Sequence, residues 1–173
     1  VPFRIPKGTY ATSRKFTLTD DFSIIADRGA RIKYIGDPVI DTLIDIDFTG
    51  GAPGGFAHGG DLRNLVIDGN GKATDGITLR GVVSGVFKAI RTTNVTRAGM
   101  RLAWAQLCLF ESYECSNNIE VFTTTPVNGI LVDTASSSAN TFINPTIEHV
   151  SGQGLLGLSL INSLVLNGTI EGN

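Results

Sequence analysis

Leu65-Val66-Ile67-Asp68-Gly69-Asn70 lies near the middle of the chain, and Leu166-Asn167-Gly168-Thr169-Ile170-Glu171-Gly172-Asn173 stands at its end. Thr146-Ile147-Glu148-His149 comes between them. A second phrase, glycine followed by an apolar run, keeps step with the first. It reads Gly76-Ile77-Thr78-Leu79, Gly99-Met100-Arg101-Leu102, Gly129-Ile130-Leu131-Val132 and Gly154-Leu155-Leu156-Gly157. These glycines fall 23, 30 and 25 residues apart. A period of roughly 23–30 residues, built from strand-like pieces, predicts an all-β solenoid. Ordering one lap of about 23 residues costs roughly 1–2 kcal/mol per residue in backbone entropy. Burying some six aliphatic side chains recovers only about 1.5–3 kcal/mol apiece. A lone lap is therefore unstable, and the array holds only when laps stack.

The rest of the composition agrees. The chain has 173 residues, enough for one domain, with 42% apolar residues and a mean hydropathy of +0.15. Charged residues make up 17% while glycine reaches 21 residues, which favours short strands and tight turns over a helical bundle. No apolar run approaches the roughly 18 residues a membrane helix needs, so no membrane insertion is expected. A net charge of −2 offers nothing to attract nucleic acid. Cys108 and Cys115 form no disulfide framework and no zinc site; they read as two small strand residues, with a single disulfide as the alternative. No metal or other cofactor is expected. Val1-Pro2-Phe3-Arg4 lacks the pattern of a signal peptide, and both ends read as cut points in a longer protein.

Alternation dominates the local pattern. Ile44-Asp45-Ile46-Asp47-Phe48 reads as a strand with apolar side chains on one face and aspartates on the other. Residues 1–60 are read as the first coils and 61–173 as the regular ones, in one continuous domain. Gly50 to Gly60 holds six glycines in eleven residues, with Phe56 and His58 its only distinctive side chains. It reads as a surface excursion between coils, or alternatively as a binding flap.

Charge is segregated along the chain. No acid lies between Gly76 and Phe110, where Arg80, Lys88, Arg91, Arg97 and Arg101 occur. No Lys or Arg follows Arg101, while Glu111, Glu114, Glu120, Asp133, Glu148 and Glu171 do. In stacked laps this predicts a basic band followed by an acidic one. An apolar or aromatic residue precedes Asp68, Glu114, Glu148 and Glu171, so an inward partner would turn each acid outward. Glu148 and Glu171 would then occupy neighbouring rungs, with Glu114 one rung below Glu148. Rungs about 4.8 Å apart match the roughly 5–5.5 Å between carboxyl groups of a retaining glycosidase. Acids on such a face equally serve solubility or a subunit contact. His149, next along a strand, is expected to face away from Glu148.

Ile5-Pro6-Lys7-Gly8-Thr9-Tyr10, Ile67-Asp68-Gly69-Asn70-Gly71, Thr74-Asp75-Gly76-Ile77 and the terminal phrase together resemble the right-handed parallel β-helix proteins of the pectate-lyase-like superfamily. The resemblance is strongest to bacteriophage tailspike and tail-fibre depolymerases. It implies a single-stranded right-handed parallel β-helix, a homotrimer, a place in the virion tail, and a bacterial surface polysaccharide (capsule, exopolysaccharide or lipopolysaccharide) as partner. Two chemistries are then open: glycosidic cleavage by Glu148, Glu171 and Glu114, or lyase action in which Arg91, Arg97 and Arg101, with Lys88, meet an acidic sugar. A non-catalytic adhesin or spacer is the alternative of a different class. Trp104 is the aromatic residue best placed to stack on a sugar, with Phe110, Tyr113 and Phe122 as further candidates. Thr74-Asp75-Gly76 is similar to part of the polygalacturonase motif, but the paired aspartates and the Gly-His-Gly of that family are missing, so Asp75 is read as a turn residue.

Overall fold

The computed structural model describes residues 2–50, 56–116, 126–133, 137–157 and 160–171. Among them the regular structure is strand throughout, nineteen strands in one curled sheet with no helix. Every pairing is parallel. Parallel neighbours need a long connection between them, and here the lap itself supplies it. The strand Asp61–Val83 is bordered by Ser23–Tyr34 and Ile40–Asp47 on one side, and by Val86–Lys88 and Arg91–Gln106 on the other. This arrangement is compatible with a parallel β-solenoid.

Register makes the repeated phrases intelligible. Ile32, Ile67, Thr92, Cys115, Ile147 and Ile170 stand in one column. Ile77, Met100, Ile130 and Leu155 form another, so Gly76, Gly99, Gly129 and Gly154 just before them are stacked as well. A Cβ at Gly129 would meet the side chain of Ile147 and, at 2.6 Å, the carbonyl oxygen of Gly154. At Gly99 it would run into Thr92, Tyr113 and Cys115. Glycine recurs because two walls of the sheet approach too closely for any side chain.

Many of the corners are made by residues other than glycine and proline. Asn64, Ala89, Ser112, Asn144 and Asn167 all take left-handed backbone angles, φ 52–61°, and lie in one register column. Ser84, Leu107, Ala139 and Asn162 form a second such column. A single left-handed residue turns the strand through a corner, and its amide stays in the ladder: Ala89 donates to Glu111 O at 2.8 Å and Ser112 to Ile143 O at 2.8 Å. Among residues with a side chain asparagine tolerates this conformation best, whereas Ala89 and Leu107 adopt it against their preference.

Side chains inside the curl stack on their equivalents. Leu62, Phe87, Phe110 and Phe142 share a column. The Phe87 and Phe110 rings are 5.2 Å apart and 14° from parallel, and Phe110 and Phe142 are 4.8 Å and 12°. Buried polar groups find partners. Thr92 Oγ1 and the Tyr113 hydroxyl lie 2.6 Å apart, and Asn140 Nδ2 donates to Ala105 O at 2.8 Å. Cys108 and Cys115 are free and buried, so the disulfide alternative is not realised. Burial pushes both thiols up to about 11.

Candidate functional site

Glu148 and Glu171 occupy the same column on adjacent rungs. Ile147, inward and 1% exposed, precedes Glu148, which leaves the acid half-buried on the outer side. Glu171 is exposed. Neighbouring strands lie about 4.8 Å apart, so the backbones that carry the two acids are one strand spacing apart.

Glu114 is placed elsewhere. The residue beside Glu148 in the preceding rung is Ser116, while Glu114 aligns with Thr146 and Arg91. The sequence expectation had matched Tyr113-Glu114 to Ile147-Glu148. Both rungs turn at the same corner, Ser112 level with Asn144, but Tyr113-Glu114 follows it immediately and Ile147-Glu148 two residues later, so Cys115 takes the inward position equivalent to Ile147. His149 also departs from expectation. Its φ of 54° makes it a corner residue, exposed rather than turned into the core, directly after Glu148.

The basic and acidic stretches of sequence interlock instead of forming separate bands. Arg91 Nε lies 3.1 Å from Glu114 Oε1, and Lys88 Nζ lies 2.8 Å from Glu111 Oε1. Arg97 grips Asp75 with both Nε, at 2.9 Å, and Nη2. Arg101 holds Asp133 with Nε, at 2.9 Å, and Nη2. Arg80 bonds Asp45, which also takes Lys15 at 3.2 Å. Two-pronged arginine–carboxylate contacts of this kind are strong and directional. Asp75 is thus a buried strand residue, its side chain 1% exposed, rather than a turn residue. Lys15, Asp41, Asp45, Arg80, Asp75, Arg97, Arg101 and Asp133 make a strip of ion pairs that runs across successive rungs.

Next to that strip is an aromatic corner. Trp104 takes φ 71°, a conformation rarely adopted by bulky residues. Its ring lies 5.9 Å from that of Phe56, tilted by 39°. The register runs Ala57, Val82, Ala105, so Gly81 lies in the rung between the two aromatics. Gly81 is buried and itself has φ 67°. With no side chain in the middle rung, the two rings meet over it.

Of the other aromatic candidates, Phe110 and Tyr113 are core residues, each 1% exposed, and cannot stack on an external sugar. Phe122 and Glu120 fall outside the described residues, as does the stretch 51–55 of the glycine-rich loop. Among the described residues no group of three His, Cys, Asp or Glu could hold a metal ion, and no helix is long and apolar enough to cross a membrane. No protein-family model, curated protein or solved structure matches the chain. Sequence reasoning had picked out Phe56 and Trp104 separately. Nothing in the spacing of the two residues signals that they meet.

Proposed function

We propose that the chain is a right-handed parallel β-helix of the tailspike kind, which binds a bacterial surface polysaccharide and cleaves its glycosidic bonds with Glu148 and Glu171. The observation that carries this reading is the register of the two acids, adjacent and outward on one column. In a retaining mechanism one carboxylate attacks the anomeric carbon while the other protonates the leaving oxygen, then activates water to release the sugar. The resemblance to tailspikes adds a homotrimer in the virion tail. Lyase chemistry is the weaker branch, because Arg91, Arg97 and Arg101 each already face a carboxylate of this chain.

The test is to incubate the full-length protein with capsule, exopolysaccharide and lipopolysaccharide and to measure new reducing ends. Glu148→Gln and Glu171→Gln should each lower the rate by about 100-fold or more. Full activity in both variants refutes the assignment, and an ultraviolet-absorbing unsaturated product would reinstate the lyase. A second reading, binding without cleavage, is favoured by the Phe56–Trp104 corner, which offers a sugar-stacking surface and no reacting group. Polymer bound but left intact would select it.

A further inference from the structure

We infer that Phe56 and Trp104 form a stacking platform for a pyranose ring, and that the polymer they receive is uncharged. This deepens the polysaccharide-binding reading and rests on it. Three features of the corner point to a ligand platform. Trp104 takes the left-handed conformation that glycine takes without strain one rung away at Gly81, so a large ring stands at a corner where glycine would fit. The partner ring, Phe56, is 45% exposed and Trp104 is half-buried, so the pair leaves part of its apolar surface open to solvent. Finally, the rung between them carries Gly81, so no side chain separates the two rings. Aromatic faces of this kind match the C–H-rich face of a sugar ring, an apolar surface edged with hydroxyls.

The charge beside the platform selects the polymer. Arg80 stands immediately before Gly81 and is bonded to Asp45. Arg101, three residues before Trp104 on the same strand, is bonded to Asp133. Arg97 is bonded to Asp75, and Lys15 to Asp45 and Asp41. The cations of the strip, Lys15, Arg80, Arg97 and Arg101, are thus matched by Asp41, Asp45, Asp75 and Asp133. Asp47, in register with Arg80, adds a further acid. No surplus positive charge remains among these residues to meet a uronate or sialate. Paired guanidinium and carboxylate groups still offer donors and acceptors to hydroxyls.

The experiment is an array of bacterial capsular and O-antigen polysaccharides of known structure, some neutral and some bearing uronate or sialate, probed with the full-length protein. The strongest binder is then titrated while tryptophan emission is followed in the parent protein and in Trp104→Phe, whose difference isolates Trp104, the single tryptophan of these 173 residues. The expected result is binding to neutral polymers with a change in that emission. Phe56→Ala should weaken binding by about threefold to tenfold, and Phe56→Tyr should retain it. Phe56 is largely outside the core, and an unchanged circular dichroism spectrum confirms that the variant folds. Preference for acidic polymers, unmoved Trp104 emission on binding, or wild-type affinity in Phe56→Ala each overturns the platform while leaving polysaccharide binding in place. Failure to bind any polymer overturns both.

Discussion

Replacing Gly129 by alanine should destabilise the protein far more than the same change at Gly154, although both belong to one glycine column. At Gly129 the new methyl group would strike Ile147, which is 1% exposed and has nowhere to move. It would also press on Gly154 O at 2.6 Å, the acceptor of the 2.8 Å hydrogen bond from Ile130. Overpacking costs about 1–3 kcal/mol, and a weakened ladder bond adds about 1 kcal/mol. Reduced freedom of the unfolded chain offsets some 0.4–1 kcal/mol. The net is a loss of about 2–3 kcal/mol, or roughly 5–10 °C in Tm for a chain of this size. At Gly154 the three atoms nearest the new methyl, the closest at 2.5 Å, all belong to Ile170, which in this 173-residue chain is 49% exposed and can swing outward. That variant should stay within about 0.5 kcal/mol of the parent, as a change near a mobile surface group does. Urea titration followed by circular dichroism would measure both. Equal losses at the two sites, or a fully stable Gly129→Ala, would refute the idea that close approach of the walls fixes these glycines.

Phe110→Ala opens a gap between two stacked rings and should cost about 3–5 kcal/mol, measured by the same titration; Phe110→Leu should cost clearly less. Arg97→Ala leaves the buried Asp75 carboxylate without its partner and should cost about 4 kcal/mol, against about 3 kcal/mol for Asp75→Ala, where the stranded guanidinium keeps access to water. The double variant should lose less than the sum of the two. Stability should also fall in alkali. The Cys108 and Cys115 thiols are raised from 9.0 to about 11 by burial, so their contribution is complete below pH 9 and is lost as pH rises toward 11. The loss should be about 2–3 kcal/mol per thiol. Unfolding scans from pH 8 to 11 should show a shallower decline in a Cys108→Ala/Cys115→Ala variant.

The column of Ile67, Ile147 and Ile170 was legible in the sequence because period-two alternation and a recurrent glycine both respond to the same constraint, a narrow interior. Glu148 and Glu171 inherited that register and could be placed beside each other. Glu114 could not, since Tyr113-Glu114 imitates Ile147-Glu148 in sequence but lies two positions nearer the corner shared by Ser112 and Asn144. Ala89 and Leu107, poor candidates for such turns, gave no warning of theirs. The ion pairs were hidden for another reason. Arg97 reaches back 22 residues to Asp75 and Arg101 reaches forward 32 to Asp133, so no single spacing would have found both. Segregated charge in the sequence became neutral pairing in space because the acids lie on flanking rungs.

Those unequal spans have a practical consequence. Lys88 meets Glu111 across 23 residues and Arg101 meets Asp133 across 32, yet both pairs bridge neighbouring strands at ordinary bonding distance. The rung-to-rung spacing rises from 23 (Thr92 to Cys115) to 30 (Ala98 to Asn128) and then to 32 (Gln106 to Ser138), and the ladder resumes in step each time; the Arg101–Asp133 span adds to the 30 the two positions from Leu131, the register partner of Arg101, to Asp133. Thread can therefore be added at the points where the spacing rises without disturbing the alignment on either side. They are the places to graft foreign peptides onto this scaffold, and the places where a lineage could vary its outer surface while keeping the same rails.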